Sequence, residues 1–127
     1  MTRFLNWIEV SNIHNYQITH FGGELGLRDK ALLESALGGI QLTFGGQYLY
    51  PDIYHQAAAY LYHIVKNHPF VDGNKRAGAM AAVVFLEVNC YHFNAPPDEF
   101  ANVVYRVAAG QSEKGELIEF FKKYTTT

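Results

Sequence analysis

KNHPFVDGNKRAGAMAAVVFL, residues 66–86, joins a crowd of polar side chains to one of the most apolar runs in the chain. Lys66, Asn67, His68, Asp72, Asn74, Lys75 and Arg76 stand beside Pro69 and Gly73. A residue before proline is disfavoured in the α region, so His68 ends whatever helix precedes it and is expected in an extended turn. From Asn74 onward, Ala77, Met80, Ala81, Val83, Val84, Phe85, Leu86 and Val88 make the surface apolar almost all round. That pattern predicts a central, buried helix of a bundle.

The start of that helix is charged the wrong way. A helix N-terminus carries partial positive charge and favours Asp or Glu, yet the first turn here is Asn74, Lys75, Arg76. Two cations at a positive helix end are costly unless an anion lies between them, and unpaired amides next to Gly73 suit a phosphate. Asp72 is the one carboxylate between residues 66 and 78. Beside a polyphosphate its natural task is to hold magnesium, which takes oxygen ligands and few of them from protein. His68, four residues earlier, offers an imidazole that can take a proton from an attacking hydroxyl. Taken singly, Asp72 and Asn74 also suit a helix cap, Lys75 and Arg76 a solvated surface, and Phe70 a core anchor. Together they indicate one anion-binding, proton-handling site.

Working outward, the apolar period is helical. Trp7, Val10, Ile13, Ile18 and Phe21 predict a helix over about 7–21, closed by Gly22 and Gly23. Asp29 reads as the N-cap of a second, whose stripe of Leu32, Leu33, Ala36 and Leu37 ends at Gly38 and Gly39. From Asp52, the spacing of Ile53, Ala57, Leu61, Ile64 and Val65 predicts a long helix to Asn67. After Pro96 and Pro97, Asp98 is expected to cap a helix carrying Phe100, Val103, Val104 and Val107. Ser112 is expected to open the last, with Leu117, Ile118, Phe121 and Tyr124. The expected fold class is all-α, a single-domain bundle of about six helices. Only GIQLTFGGQYLY, 39–50, has the glycines and β-formers for a short hairpin or flap, and it equally suits an irregular loop.

Composition narrows the function. The chain has 127 residues, 49% of them hydrophobic, enough for a core of its own. Ten Lys and Arg against twelve Asp and Glu leave a net charge of -2, without the basic excess of a nucleic-acid binder. The run Ala77–Leu86 is about half the ~20 residues a membrane helix needs. A single cysteine and the absence of a secretory pattern lead to the expectation of a cytoplasmic protein. His14, His20, His55, His63, His68 and His92 fall into no zinc spacing.

The nine residues HPFVDGNKR, 68–76, resemble the signature of the Fic/Doc superfamily. Its Fic branch reads HPFxxGNGR with a second arginine where this chain has Ala79, and its death-on-curing (Doc) branch reads HxFxDxNKR. The likeness extends through GLRDKALLESALGG (26–39), YPDIYHQAAAYLYHIVKNHPF (50–70) and FLEVNCYHF (85–93). It implies a helical Fic fold that binds ATP and Mg²⁺ and transfers part of the nucleotide to a protein hydroxyl. By position, His68 is similar to the catalytic base, Phe70 to the loop's core anchor and Asp72 to the magnesium ligand. Gly73, Asn74, Lys75 and Arg76 resemble the anion-binding turn, and Lys66 a basic residue that also faces the phosphates.

Lys75 in place of glycine and Ala79 in place of the second arginine match the Doc branch. For that branch the resemblance implies a toxin that phosphorylates elongation factor Tu with the γ-phosphoryl of ATP, and a small antitoxin as partner. Two other readings stand beside it at this point. One keeps the fold and transfers AMP. The other is a module that has lost catalysis and only docks a partner.

Overall fold

The computed structural model describes residues 1–127 and contains six helices. They are α1 (Trp7–Phe21), α2 (Lys30–Ile40), α3 (Ile53–Asn67), α4 (Asn74–Val88), α5 (Pro97–Ala108) and α6 (Lys114–Tyr124). The all-α expectation holds, and the predicted bounds of α1 and of α3's C-terminal end are those observed. Two small antiparallel pairs accompany the helices: β1 (Thr43–Phe44) with β2 (Gln47–Tyr48), and β3 (His92–Phe93) with β4 (Thr125–Thr126). The first places a short hairpin, 43–48, within the segment 39–50. Gly45 and Gly46 form its two-residue turn at φ 61° and 81°, where a side chain would be strained. The second pair joins residues more than thirty positions apart and shows no local signal.

The core is one cluster centred on α3 and α4. Ala57, Ala58 and Ala59 on α3 and Ala77, Ala81 and Ala82 on α4 are all fully buried in this cluster, and small side chains let helices approach closely. At Gly78 the approach is tight, since a Cβ there would lie 2.9 Å from Val65 Cγ2 and 3.1 Å from the Leu61 carbonyl oxygen. Phe85 and Tyr60 are fully buried with ring centroids 4.8 Å apart. Burying each such side chain contributes roughly 1.5–3 kcal/mol. Tyr60 also pins the N-terminal segment, because its hydroxyl accepts from the Leu5 amide at 2.8 Å. Only Lys75, Glu87 and Val88 of α4 are exposed, as a central helix requires.

Several caps differ from the expectation. Asn6 caps α1 in a reciprocal pair with Glu9, a signal the sequence carries. Asp29 caps α2 as expected, by accepting from Leu32 N at 3.0 Å. Gly38 and Gly39 do not stop α2, which continues to Ile40, because the fully buried Ile40 side chain anchors another half-turn. Pro96, not Asp98, is the N-cap of α5, and Asp98 sits in the first turn, facing the positive helix end. Likewise α6 opens at Lys114, with Glu113 at its N-cap position. Ser112 Oγ instead donates to Glu116 Oε1 at 2.7 Å.

Away from the signature loop, α3 and α6 share a polar cluster. Lys114 Nζ donates to Tyr50 Oη at 3.2 Å, and Tyr50 in turn donates to His63 Nε2 at 3.0 Å. Burial, reinforced by the Lys114 charge, holds the His63 imidazole below its usual pKa.

Candidate active site

Residues 68–76 connect the C-terminal end of α3 to the N-terminal end of α4, and their conformation is set from outside the loop. His68 is not extended. It closes α3 in the left-handed conformation at φ 54° and ψ 52°, its amide donating to Ile64 O at 3.1 Å. The proline rule is overridden by tertiary hydrogen bonds. Arg28 donates to the His68 carbonyl from Nη2 at 2.6 Å and from Nε at 3.0 Å. The amides of Arg28 and Asp29 both donate to Pro69 O, and Val71 N donates to Gly26 O. A left-handed non-glycine residue costs on the order of 1–2 kcal/mol, which these contacts offset.

Phe70 is the anchor its position implied, 1% exposed and stacked on the ring of His14. Asn74 does not cap α4. Its Oδ1 accepts from Phe70 N at 2.9 Å and its Nδ2 donates to Phe70 O at 3.0 Å, which fixes the amide's orientation. The remaining N–H of Nδ2 therefore meets His68 Nδ1, 3.0 Å away. That ring nitrogen accepts, so a neutral His68 carries its proton on Nε2, which has no partner within the protein.

Asp72 does not cap α4 either. Its Oδ2 accepts from the Glu24 amide at 3.1 Å and its Oδ1 from the Gly73 amide at 2.8 Å. These two amides, with Arg76 and His14 behind them, hold the Asp72 carboxyl below its ordinary pKa, so it is ionised at neutral pH. Gly73 is the N-cap residue of α4 at φ 72°, where a Cβ would also press on Ile18 Cδ1 at 2.9 Å. Only glycine fits both demands. No side chain caps this helix start, and the first amide paired to the preceding turn is that of Ala77, to Gly73 O. The amides of Asn74, Lys75 and Arg76 therefore have no partner in the protein.

His68, Asp72, Gly73, Asn74, Lys75 and Arg76 all line one cleft of about 430 Å³, with Val65 and Ala108 as its apolar walls. Six of the seven candidate residues thus converge. Lys66 does not line it, and its ammonium lies against Gly110 in the turn after α5. Arg28, His14 and the Glu24 amide were missed by sequence reasoning. Each acts across the fold, and no local spacing marks them.

The residues suit the groups the resemblance implies. No three His, Cys, Asp or Glu side chains converge anywhere to enclose a metal. One ionised carboxylate could give a magnesium ion a single oxygen ligand, and the free helix amides with the two cations suit the phosphates that would share it. A second depression, about 640 Å³, runs between α4 and α5 and is lined by Ala79, Met80, Phe100, Val104 and Tyr105. Lys75 and Arg76 belong to both depressions. No helix is long and apolar enough to cross a membrane.

Comparison with known proteins gives the family. Residues 4–86, from α1 to the last turn of α4, match the family described as Fic/DOC. Toxin Doc of Mycolicibacterium smegmatis is 46% identical over 69 residues, 54% of this chain, so the match spans about half (53%) of that protein's length. Protein kinase doc of Escherichia phage P1 is 29% identical over 116 residues, covering 91% of this chain and 90% of that one. The matched span contains the whole cleft turn together with α1 and the Gly22–Asp29 segment that clamps it, and the chain belongs to the Fic/DOC family.

Proposed function

We propose that this protein is the toxin of a toxin–antitoxin pair and transfers the γ-phosphoryl group of ATP to a hydroxyl of a target protein, elongation factor Tu, halting translation. The observation that carries the reading is the convergence on one cleft of His68, ionised Asp72 and three uncapped helix amides flanked by Lys75 and Arg76. The names of the two relatives, a toxin and a protein kinase, support it.

In this reading the amides of Asn74, Lys75 and Arg76 bind phosphate oxygens, and Asp72, its carboxylate held by the Gly73 and Glu24 amides, would take the metal. Magnesium, when bound, supplies charge neutralisation to the phosphates. Lys66, outside the cleft lining, has no direct part in this reading. His68 takes the proton of the attacking hydroxyl at Nε2. That requires the tautomer protonated on Nδ1, so the ring gives up the Asn74 contact as it acts. Losing one such hydrogen bond costs about 1 kcal/mol, less than the ~10²-fold or greater rate gain of a positioned base.

Lys75 decides which phosphate faces His68. A glycine there leaves room for an α-phosphate against the backbone, whereas lysine fills that space and offers a point charge farther out. An antitoxin segment lying in the apolar depression between α4 and α5 would touch Lys75 and Arg76, which also line the cleft.

The test incubates the protein with cell lysate and ATP labelled at the α or the γ position. Label from the γ position on one main protein band is expected. Label only from the α position replaces phosphoryl transfer with AMP transfer. No label from either, in folded protein free of antitoxin, leaves a docking module.

A further inference from the structure

His14 has no assigned task, yet it is 1% exposed in the middle of α1 and reaches the signature loop. Its ring lies flat on Phe70, centroids 3.9 Å apart and planes within 5°. Its Nε2 lies 2.7 Å from the carbonyl oxygen of Asp72. A carbonyl only accepts, so Nε2 carries the proton. One turn further along α1, Ile18 packs where side chains at Gly23 and Gly73 would otherwise stand, 2.8 and 2.9 Å from those Cβ places. This face of α1 is the floor beneath the Asp72–Gly73 peptide.

The peptide is planar and trans, so its C=O and N–H point in opposite directions. With the carbonyl held down on His14, the Gly73 N–H must point up, and there it donates to Asp72 Oδ1 at 2.8 Å. One imidazole N–H therefore sets, through one rigid peptide, the donor that aims the carboxylate. We propose that His14 is a positioning residue that orients Asp72 to receive a divalent cation. The proposal rests on the reading of Asp72 as the metal-binding carboxylate. Stacking on Phe70 holds the ring in the orientation the hydrogen bond needs.

The test uses the full chain and measures Mn²⁺ binding by paramagnetic resonance at saturating ADP, with no turnover involved. His14→Phe keeps the flat ring on Phe70 and removes the donor, whereas His14→Gln returns an N–H near the place of Nε2. His14→Phe is expected to weaken Mn²⁺ binding ~10-fold or more, as loss of a supporting partner behind a metal ligand does, and His14→Gln to restore most of it. ADP affinity without metal should stay level in both. Wild-type Mn²⁺ affinity in a folded His14→Phe protein, or equal loss in both variants, overturns the proposal. Asp72→Asn separates the layers. If it loses Mn²⁺ while His14→Phe does not, only the role of His14 falls, and if it binds Mn²⁺ as wild type does, the reading of Asp72 falls with it. Should His14→Phe fail to fold, ¹⁵N resonances of the wild-type ring decide: a proton on Nε2 supports the proposal, and one on Nδ1 overturns it.

Discussion

The guanidinium of Arg28 holds the carbonyl oxygen of His68 through two hydrogen bonds, at 2.6 and 3.0 Å, and also reaches Asn67 O at 3.3 Å. A side chain forty positions earlier thus closes α3 and fixes the backbone from which the imidazole projects.

Arg28→Ala should remove that closure. The contact is exposed, so a loss of only about 1 kcal/mol is expected, a fall of ~3–5 °C in melting temperature. The effect on phosphoryl transfer should be larger, about 10-fold or more, because the imidazole loses its fixed origin. Calorimetry and transfer rates on one preparation check both, and an unchanged rate removes Arg28 from the site's support.

His68 should show opposite effects on stability and activity. Glycine tolerates the left-handed backbone that costs histidine on the order of 1 kcal/mol, so His68→Gly should melt close to or above wild type. His68→Ala should melt lower than His68→Gly. Both should lose growth arrest and transfer by ~10²-fold or more. Retained toxicity in either contradicts the role given to this residue.

The Tyr50–His63–Lys114 cluster should make stability sensitive to mild acid. His63 has a lowered pKa when folded, so the unfolded chain binds its proton first as pH falls. Stability contributed by the neutral ring is complete above the unfolded value near 6.5 and is lost as pH drops below it toward the folded value. Melting temperatures between pH 7.5 and 5 should therefore fall more in wild type than in His63→Gln. Parallel curves would show that the cluster does not carry this dependence.

Acid below that range should report on Asp72. Its folded pKa is depressed, so its contribution is present above the unfolded value near 3.8 and disappears as pH falls through the lower folded value. Asp72→Asn should flatten the acid limb of the melting curve below about pH 4 and leave the neutral range alone. A wild-type acid limb in that variant would mean the Glu24 and Gly73 amides do not hold the carboxylate in solution.

Gly78→Val should be the most disruptive change outside the cleft. Its added atoms meet Leu61 O and Val65 where even a Cβ would be at 3.1 and 2.9 Å, and overpacking of this kind costs about 1–3 kcal/mol. A melting temperature within 2 °C of wild type would show that α3 and α4 separate more freely than their packing implies.

What the sequence disclosed follows from how far each signal reaches. The bounds of α1, the C-terminal end of α3 and the start of α4 were legible because apolar spacing, Gly22 and Pro69 act within a turn of themselves. The cleft residues were legible because one loop carries nearly all of them. The left-handed His68 was not, since Arg28, which holds it, lies on another segment with no periodic relation to it. His14 was hidden for the same reason, 58 positions from its partner. Asp98 and Ser112 have good capping chemistry, but Pro96 and Glu113 occupy the cap positions and leave them other tasks.

Lys75 and Arg76 are walls of two separate depressions at once. Were nucleotide and a partner segment to occupy them as proposed, thermodynamic linkage would couple the two: a segment that weakens nucleotide binding tenfold is itself weakened tenfold by nucleotide, a coupling of about 1.4 kcal/mol either way. Plentiful ATP would then loosen the partner, and scarcity would tighten it. The turn between α3 and α4 would weigh the cell's energy supply against the concentration of whatever keeps the protein silent.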